Sequence, residues 1–288
     1  MPAVNCADWL KVWPQYLLPQ HGLSACAYAL TRSRAPWLKN ALIRAFVTHY
    51  QVNMQEAAQP DSTRYESFNA FFTRALRNGA RPLSGNVHDF ASPVDGAISQ
   101  IGTLRDNMLV QAKCREYSVE ALLGGDVESA GRFRGGAFAT LYLSPRDYHR
   151  IHMPCDGQLA EMVYIPGRLF SVNPATTRQV DELFARNERV ICYFDTNHGR
   201  IAVIMVGAIF VGSIETVWAG QVTPASSHRI TRWNYGASPQ GYDRGREIGR
   251  FNMGSTVIVL LEPARIHWAE TLHAGSAIRQ GQSLGLMQ

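Results

Sequence analysis

Lysine is almost missing from this chain. Of its 28 lysines and arginines only Lys11, Lys39 and Lys113 are lysines, which leaves 25 arginines. An enzyme that forms an imine through a lysine amine would have little to work with. Cysteine is also sparse and scattered: Cys6, Cys26, Cys114, Cys155 and Cys192 contain no C-x-x-C pair. That argues against a disulfide framework and a structural zinc site, and it suits a reducing compartment. No segment approaches the roughly 20 apolar residues of a membrane span. The longest candidate, Ile201 to Ile214, is broken by Gly207 and Gly212 and reads as two strands joined by a tight turn. Asp8, Lys11 and Pro14 stand where a secretory signal would need an apolar core, so no signal peptide is expected. The chain has no G-x-S-x-G elbow, which disfavours a standard α/β-hydrolase. It has no H-E-x-x-H pair and no low-complexity tract, so neither a zincin nor a disordered chain is expected.

What is present points to a folded domain with a polarised charge. With 288 residues, 46% of them hydrophobic, the chain can build one large domain or two modest ones around a substantial core. The net charge is +5, and most of it lies early: before residue 56, Lys11, Arg32, Arg34, Lys39 and Arg44 face the single acid Asp8. A basic, amphipathic N-terminus suits an anionic surface, either membrane or nucleic acid. No recognisable nucleic-acid motif accompanies it.

Residues 7 to about 55 read as helices. Trp9, Leu10, Trp13, Leu17 and Leu18 cluster beside Lys11, Leu23 to Leu30 suggests a second helix, and Pro36 starts a third carrying Trp37, Leu38, Leu42, Ile43, Phe46 and Val47. Tryptophan with Lys/Arg on short amphipathic helices fits an interfacial membrane contact. A helical cap packed on the main domain fits equally, and both can hold. Residues 66 to 76 read as one more helix. From residue 89 short β-rich runs alternate with Gly, Pro, Asn and Asp turns: Ala97–Gly102, Met108–Ala112, Ala137–Leu143, Gly157–Tyr164, Arg189–Phe194, Ile201–Val206, Ile209–Ile214 and Thr256–Leu261. Val119–Leu123 reads as a short helix and Gln179 to Ala185 as a further helical turn. The expected class is α+β, with N-terminal amphipathic helices (residues 1–65) docked on a mostly antiparallel β sandwich or barrel-like domain (residues 66–288).

Three stretches carry residues with chemical potential. In Ser92-Pro93-Val94-Asp95-Gly96 the aspartate fits a turn residue satisfying its own backbone. In Tyr148-His149-Arg150-Ile151-His152-Met153-Pro154 two histidines lie three apart in a Pro-bounded extended segment, with no third histidine or cysteine pair to complete a metal site. In Phe251-Asn252-Met253-Gly254-Ser255-Thr256 a small, polar turn enters the apolar run Thr256–Leu261. Gly254-Ser255 therefore sits where a loop enters a strand. Glycine there can hold a strained peptide, and the serine hydroxyl lies beside the preceding carbonyl. A Ser/Thr pair that merely caps the strand fits as well. A serine hydroxyl is a poor nucleophile until an imidazole takes its proton and a carboxylate fixes the imidazole tautomer. Asp95, His152 and Ser255 would fill those roles.

These stretches, with Phe170-Ser171-Val172-Asn173-Pro174, closely resemble in order and spacing the signatures of bacterial membrane-associated phosphatidylserine decarboxylases, over roughly residue 66 to the C-terminus. Met253 departs from the leucine usual before Gly-Ser-Thr, a volume-conserving change. The resemblance implies a precursor that cuts itself between Gly254 and Ser255 into a β chain (1–254) and an α chain (255–288). His152, oriented by Asp95, would deprotonate Ser255. The alkoxide would attack the Gly254 carbonyl, and elimination would leave an N-terminal pyruvoyl group at position 255. That group, the covalent cofactor, would form a Schiff base with phosphatidylserine and release CO2 to give phosphatidylethanolamine, without metal. His149 or His152 is the expected proton donor in decarboxylation, with His149 favoured; Phe170, Ser171 and Asn173 are expected at the head group. The implied partners are an anionic phospholipid membrane, met peripherally on its cytoplasmic side, and the α/β chain pair, open to homodimerisation. A serine hydrolase built on Asp95, His152 and Ser255 would instead stay uncut, and a non-enzymatic membrane-bound β module would tolerate loss of Ser255.

Overall fold

The computed structural model describes residues 8–9, 12–112, 115–210, 213–225, 228–252 and 255–288. Met253 and Gly254 lie outside the described residues, as do Cys6, Lys11, Lys113 and Cys114.

The N-terminal part is helical: α1 (Pro14–Leu17), α2 (Gln20–Thr31), α3 (Pro36–Tyr50) and, after two 3₁₀ turns, α4 (Phe68–Phe72). Pro36 opens α3, where its missing N–H costs nothing. Ser67 caps α4 by accepting from Ala70 N–H at 3.1 Å. α4 is shorter than the helix expected over 66–76. From Ala75 the chain instead bonds to residues 56–58: Ala58 N–H donates to Ala75 O and Arg77 N–H to Glu56 O, both at 2.9 Å. Ile43, Val52, Phe68, Phe71 and Phe72 form a small core of their own, with Phe46 packed against it. Elements on both sides of residue 65 thus share apolar contacts.

The remainder is β-rich. Its strands are β1 (Asp89–Ala91), β2 (Gly96–Thr103), β3 (Met108–Ala112), β4 (Arg115–Ser118), β5 (Ala137–Tyr142), β6 (Arg150–His152), β7 (Gly157–Ile165), β8 (Arg189–Thr196), β9 (Gly199–Val206), β10 (Ile214–Thr216), β11 (Gly220–Gln221), β12 (Thr231–Asn234), β13 (Gln240–Tyr242), β14 (Glu247–Phe251), β15 (Thr256–Leu261), β16 (Ile266–Trp268), β17 (Ala277–Ile278) and β18 (Ser283–Met287). Short helices α5 (Val119–Leu122), α6 (Val127–Arg132), α7 (Pro174–Gln179) and α8 (Leu183–Arg186) lie between them. The largest sheet runs β12-β7-β8-β9-β15-β5-β2-β17, with β13 also on β7, and it is open rather than a closed barrel. A four-stranded sheet β11-β10-β14-β6 and a three-stranded sheet β1-β18-β16 accompany it. The paired strands are antiparallel, as expected.

One expected strand is not seen among the described residues. In Ile209–Ile214, Ile209 and Phe210 lie in a turn with Phe210 at φ 65°, residues 211–212 lie outside the described residues, and of the described ones only Ile214 enters a strand. The apolar run was misleading because the left-handed backbone at Phe210 breaks the extended path.

β15 lies at the centre of the large sheet. It pairs with β5 from Thr256↔Tyr142 to Leu261↔Ala137 and with β9 from Thr256↔Val206 to Leu261↔Ile201. All six residues are buried, which explains why an uninterrupted apolar, β-branched run occupies the position. The residue before it is Ser255. The helices dock next to this end of the sheet: Gln15 Oε1 accepts from Ser171 N–H and Gln20 Oε1 from Leu169 N–H, both at 2.9 Å.

Candidate active site

Ser255 is fully buried, and its carbonyl accepts from Leu143 N–H at 3.0 Å. Six residues further on, His149 O accepts from Phe251 N–H at 3.0 Å. The segments 143–149 and 251–255 are therefore tied together at both ends. Between the ties, Ser144 N–H and Oγ–H each donate to Asp147 Oδ2 at 2.7 Å, which closes a tight turn. Among the described residues the buried Ser255 hydroxyl has no hydrogen-bond partner, and neither has His149 Nε2. Two orphaned polar atoms on adjoining segments are costly, and a catalytic role accounts for their being kept.

The two histidines hold the same tautomer for different ends. His149 Nδ1 lies 2.8 Å from Asp147 O. A carbonyl only accepts, so Nδ1 carries the proton and Nε2 presents a lone pair. Burial pushes the His149 pKa down to about 3, so the ring is neutral at physiological pH, and it packs on Phe72 with ring centroids 4.2 Å apart. His152 Nδ1 likewise donates to Gly245 O at 2.8 Å, but its Nε2 accepts from Tyr148 Oη–H at 3.0 Å. Burial lowers the His152 pKa and pushes the Tyr148 phenol up to about 12, which keeps that phenol a donor.

Asp95 sits at the turn into β2, as expected, but its carboxylate is held by other groups. Arg81 Nε reaches it at 2.9 and 3.1 Å, Arg81 Nη2 at 2.6 Å, and Gln280 N–H at 2.8 Å. Arg81 also donates to Glu56 at 2.7 Å. The carboxylate that was expected to orient His152 thus engages Arg81, and a backbone carbonyl fixes the His152 tautomer. Arg81 and His152 line one cavity of about 310 Å³ with Tyr148.

Of the residues expected at the head group, Ser171 and Asn173 line an apolar cavity of about 200 Å³ together with Phe46, Tyr50, Tyr142 and Leu143. Phe170 is not among its walls. It is buried edge-on to Tyr16 at 5.0 Å, with the Arg186 guanidinium 5.4 Å from its ring centre. Asn173 Oδ1 already caps α7 by accepting from Thr176 N–H at 3.0 Å. Phe46, Tyr50 and Phe210 continue from this cavity into an open apolar groove with Leu30 and Leu42.

A family model described as phosphatidylserine decarboxylase matches residues 68–286. The chain belongs to that family. A second model, described as PSD, matches residues 10–51. Three relatives, each named phosphatidylserine decarboxylase proenzyme, are similar over nearly their whole length. The protein of Stutzerimonas stutzeri is 54% identical over 96% of this chain and 94% of its own. That of Methylococcus capsulatus is 55% identical over 94% of each chain. That of Azotobacter vinelandii is 52% identical over 96% of this chain and 98% of its own.

Three residues of this decarboxylase-family site escaped the sequence reading. Tyr148 precedes His149 in the histidine stretch, so its place was visible but not its bond to His152. Arg81 is one arginine among 25, and only the fold brings it to Asp95. Asn252 lies inside the Gly-Ser stretch, buried, with its backbone N–H and both ends of its side-chain amide hydrogen-bonded.

Proposed function

We propose that the chain is a phosphatidylserine decarboxylase proenzyme that cuts itself at Gly254–Ser255 and then acts on phosphatidylserine. The observation that carries this is the Ser255 hydroxyl, fully buried and unpartnered at the entrance to the central strand. A hydrolase needs a nucleophile that an outside substrate can reach. A hydroxyl sealed in this way is suited to its own chain, and the lipid is to be met only after cleavage has freed residue 255 from residue 254. Its Oγ attacks the Gly254 carbonyl carbon, the C–N bond breaks, and an ester forms. Elimination then breaks the Cβ–Oγ bond, releasing Gly254 as a carboxylate. Water expels ammonia from the remaining enamine, leaving a pyruvoyl group on residue 255. Position 255 fits that group, because Ser255 Oγ makes no hydrogen bond whose loss would cost stability. Once formed, the group supplies an electron-withdrawing carbonyl that accepts the electron pair left when the lipid carboxyl departs as CO2.

In this reading His152 takes the Ser255 proton with Asp95 in support, the two exchanging their present partners Tyr148 and Arg81, while His149 handles the proton in decarboxylation. A second assignment has specific support: His149 already offers a bare Nε2 lone pair on the segment tied to 251–255, so it can act as the base for cleavage itself. The groove beside Ser171 and Asn173 is apolar enough for a lipid chain, and residues 1–65 form the membrane-facing part. Attachment is peripheral, on the cytoplasmic side, and among the described residues no helix is long and apolar enough to cross a membrane.

Intact mass under denaturing conditions tests the reading. The wild-type chain should give two species split after Gly254, the smaller lighter by one ammonia than hydrolysis alone would make it. Ser255→Ala should stay whole. An uncut wild-type chain in the presence of membranes would sink the proposal. Uncut His152→Ala beside cut His149→Ala supports the first division of roles, and the reverse supports the second.

A further inference from the structure

Self-cleavage needs more than a nucleophile and a base. The attacking oxygen and the carbonyl carbon must be held within roughly 3–3.5 Å in the right orientation, and a misplacement of about 1 Å can cost roughly 10²-fold in rate. On its C-terminal side the scissile bond is anchored, since Ser255 O is bonded to Leu143 N–H and the next residue enters β15. On its N-terminal side β14 ends at Phe251, and the next residue is Asn252, buried to 1% exposure.

Asn252 is gripped through its backbone and both ends of its amide. Its N–H donates to Ser213 O at 2.9 Å. Its Nδ2 donates to Ser213 Oγ. Its Oδ1 accepts from Asn69 Nδ2 at 3.0 Å. Only Met253 and Gly254 separate this grip from the anchored Ser255. A side chain with one donor and one acceptor on a short stem meets both partners at once. An aliphatic side chain of similar size meets neither, and both the buried Ser213 hydroxyl and the half-buried Asn69 amide lose a partner.

We infer that Asn252 is a positioning residue for self-cleavage, fixing the N-terminal flank of the scissile peptide while Leu143 fixes the other. The inference rests on the cleavage proposed above. It also gives the N-terminal helices a part in maturation. Asn69 belongs to α4, and Ser213 Oγ is met at 3.4 Å by Arg32 Nη2 at the end of α2. The grip is complete only when these helices have docked, so docking precedes cleavage.

The test monitors splitting of freshly translated full-length chains over time on a denaturing gel. Asn252→Leu should slow splitting by about tenfold or more. Asn252→Asp keeps an acceptor for Asn69 Nδ2 and can accept a hydrogen bond from the Ser213 hydroxyl, so it should restore much of the rate. Asn69→Ala should slow splitting less than Asn252→Leu. Melting temperatures of the same variants in a Ser255→Ala background report structural damage alone. Phe133→Leu, a core truncation far from the loop in sequence and fully buried, serves as the comparison: it should lower the melting temperature without slowing splitting. Splitting of Asn252→Leu at the wild-type rate would overturn the inference. So would slowing that merely tracks melting temperature across all variants, Phe133→Leu included. A wild-type chain that never splits would remove the cleavage reading itself, an outcome visible before any variant is compared.

Discussion

His149 and His152 show how one side-chain type takes two states three residues apart. Both donate from Nδ1 to a carbonyl, yet only His149 keeps Nε2 free. Burial sets a testable pH dependence. The His149 pKa falls from an ordinary 6.5 to about 3 in the fold. The unfolded chain therefore binds a proton first as pH drops. The residue imposes no cost above pH 6.5 and a growing one, at about 1.4 kcal/mol per pH unit, as pH falls from there toward 3. In a Ser255→Ala background, His149→Phe should reduce the stability lost between pH 7 and pH 5 by about 2 kcal/mol, read by urea unfolding; an unchanged pH slope would contradict this. Asp95 gives a second prediction. Its side chain and that of Arg81 are only 10% and 9% exposed, so Arg81→Met leaves a buried carboxylate unpaired and should cost about 3 kcal/mol. Asp95→Asn added to Arg81→Met should recover part of that loss, whereas strictly additive losses would show that the two residues do not act as a pair. The sequence marked the positions of Asp95, His149, His152 and Ser255, because each stands in a short stretch at a strand end. It did not reveal their partners. Arg81, Gly245 and Tyr148 become partners only through tertiary packing, and nothing in local patterning distinguishes them.

At the level of elements, the β-rich texture was legible because buried strands are written as short apolar runs between turn residues. β15 was read within its observed limits. The failures occurred where backbone geometry overrode composition, at the Phe210 turn and at the early end of α4. The turn into β2 shows how strict such geometry can be. A Cβ on Gly96 would lie 2.2 Å from Tyr142 O, and Gly96 holds φ +153°. Gly96→Ala should therefore destabilise the fold by about 2 kcal/mol. Gly131 offers the contrast: it lies in α6 with nothing within 4 Å of its added methyl, so Gly131→Ala should be neutral or stabilising by about 0.5–1 kcal/mol. Equal melting temperatures for the two variants would refute the reading of the β2 turn. Strand pairing also bears on the proposed cleavage. Residues 255–288 contribute β15 between β5 and β9, β17 on β2, and β18 on β1. If the chain is cut after Gly254 as proposed, a fragment paired at so many edges should stay with the larger chain until denatured.

For the whole molecule, the question is what holds the proposed enzyme at a lipid surface. The sequence suggested a basic N-terminal face, and the fold withdraws part of that charge while leaving Arg34 and Arg44 exposed. Lys39 is buried and donates to Asn40 Oδ1 and Thr63 O at 2.8 Å. Arg34 pairs at the surface with Glu66 at 3.0 Å, and the Arg32 guanidinium lies 3.5 Å from the Tyr28 ring centre. Large apolar side chains are left outside as well. Leu17 is 72% and Trp37 76% exposed, and Trp9, Trp13, Tyr16 and Leu30 are each exposed by nearly half. An exposed aromatic and leucine surface on short helices gains free energy at the headgroup–acyl boundary, and this gain is insensitive to salt. Attraction of arginines to anionic lipid is screened within a Debye length. Vesicle sedimentation separates the two. Trp13→Ser with Trp37→Ser should weaken binding to vesicles containing phosphatidylglycerol by roughly tenfold or more, while raising salt on the wild-type chain should weaken it less. The self-cleavage of the double variant should persist, because both tryptophans lie away from the Asn252 and Leu143 anchors in the chain's hydrogen-bond network. If salt alone released the wild-type chain and the double variant bound as well as wild type, the surface would be electrostatic, and the exposed tryptophans would need another explanation.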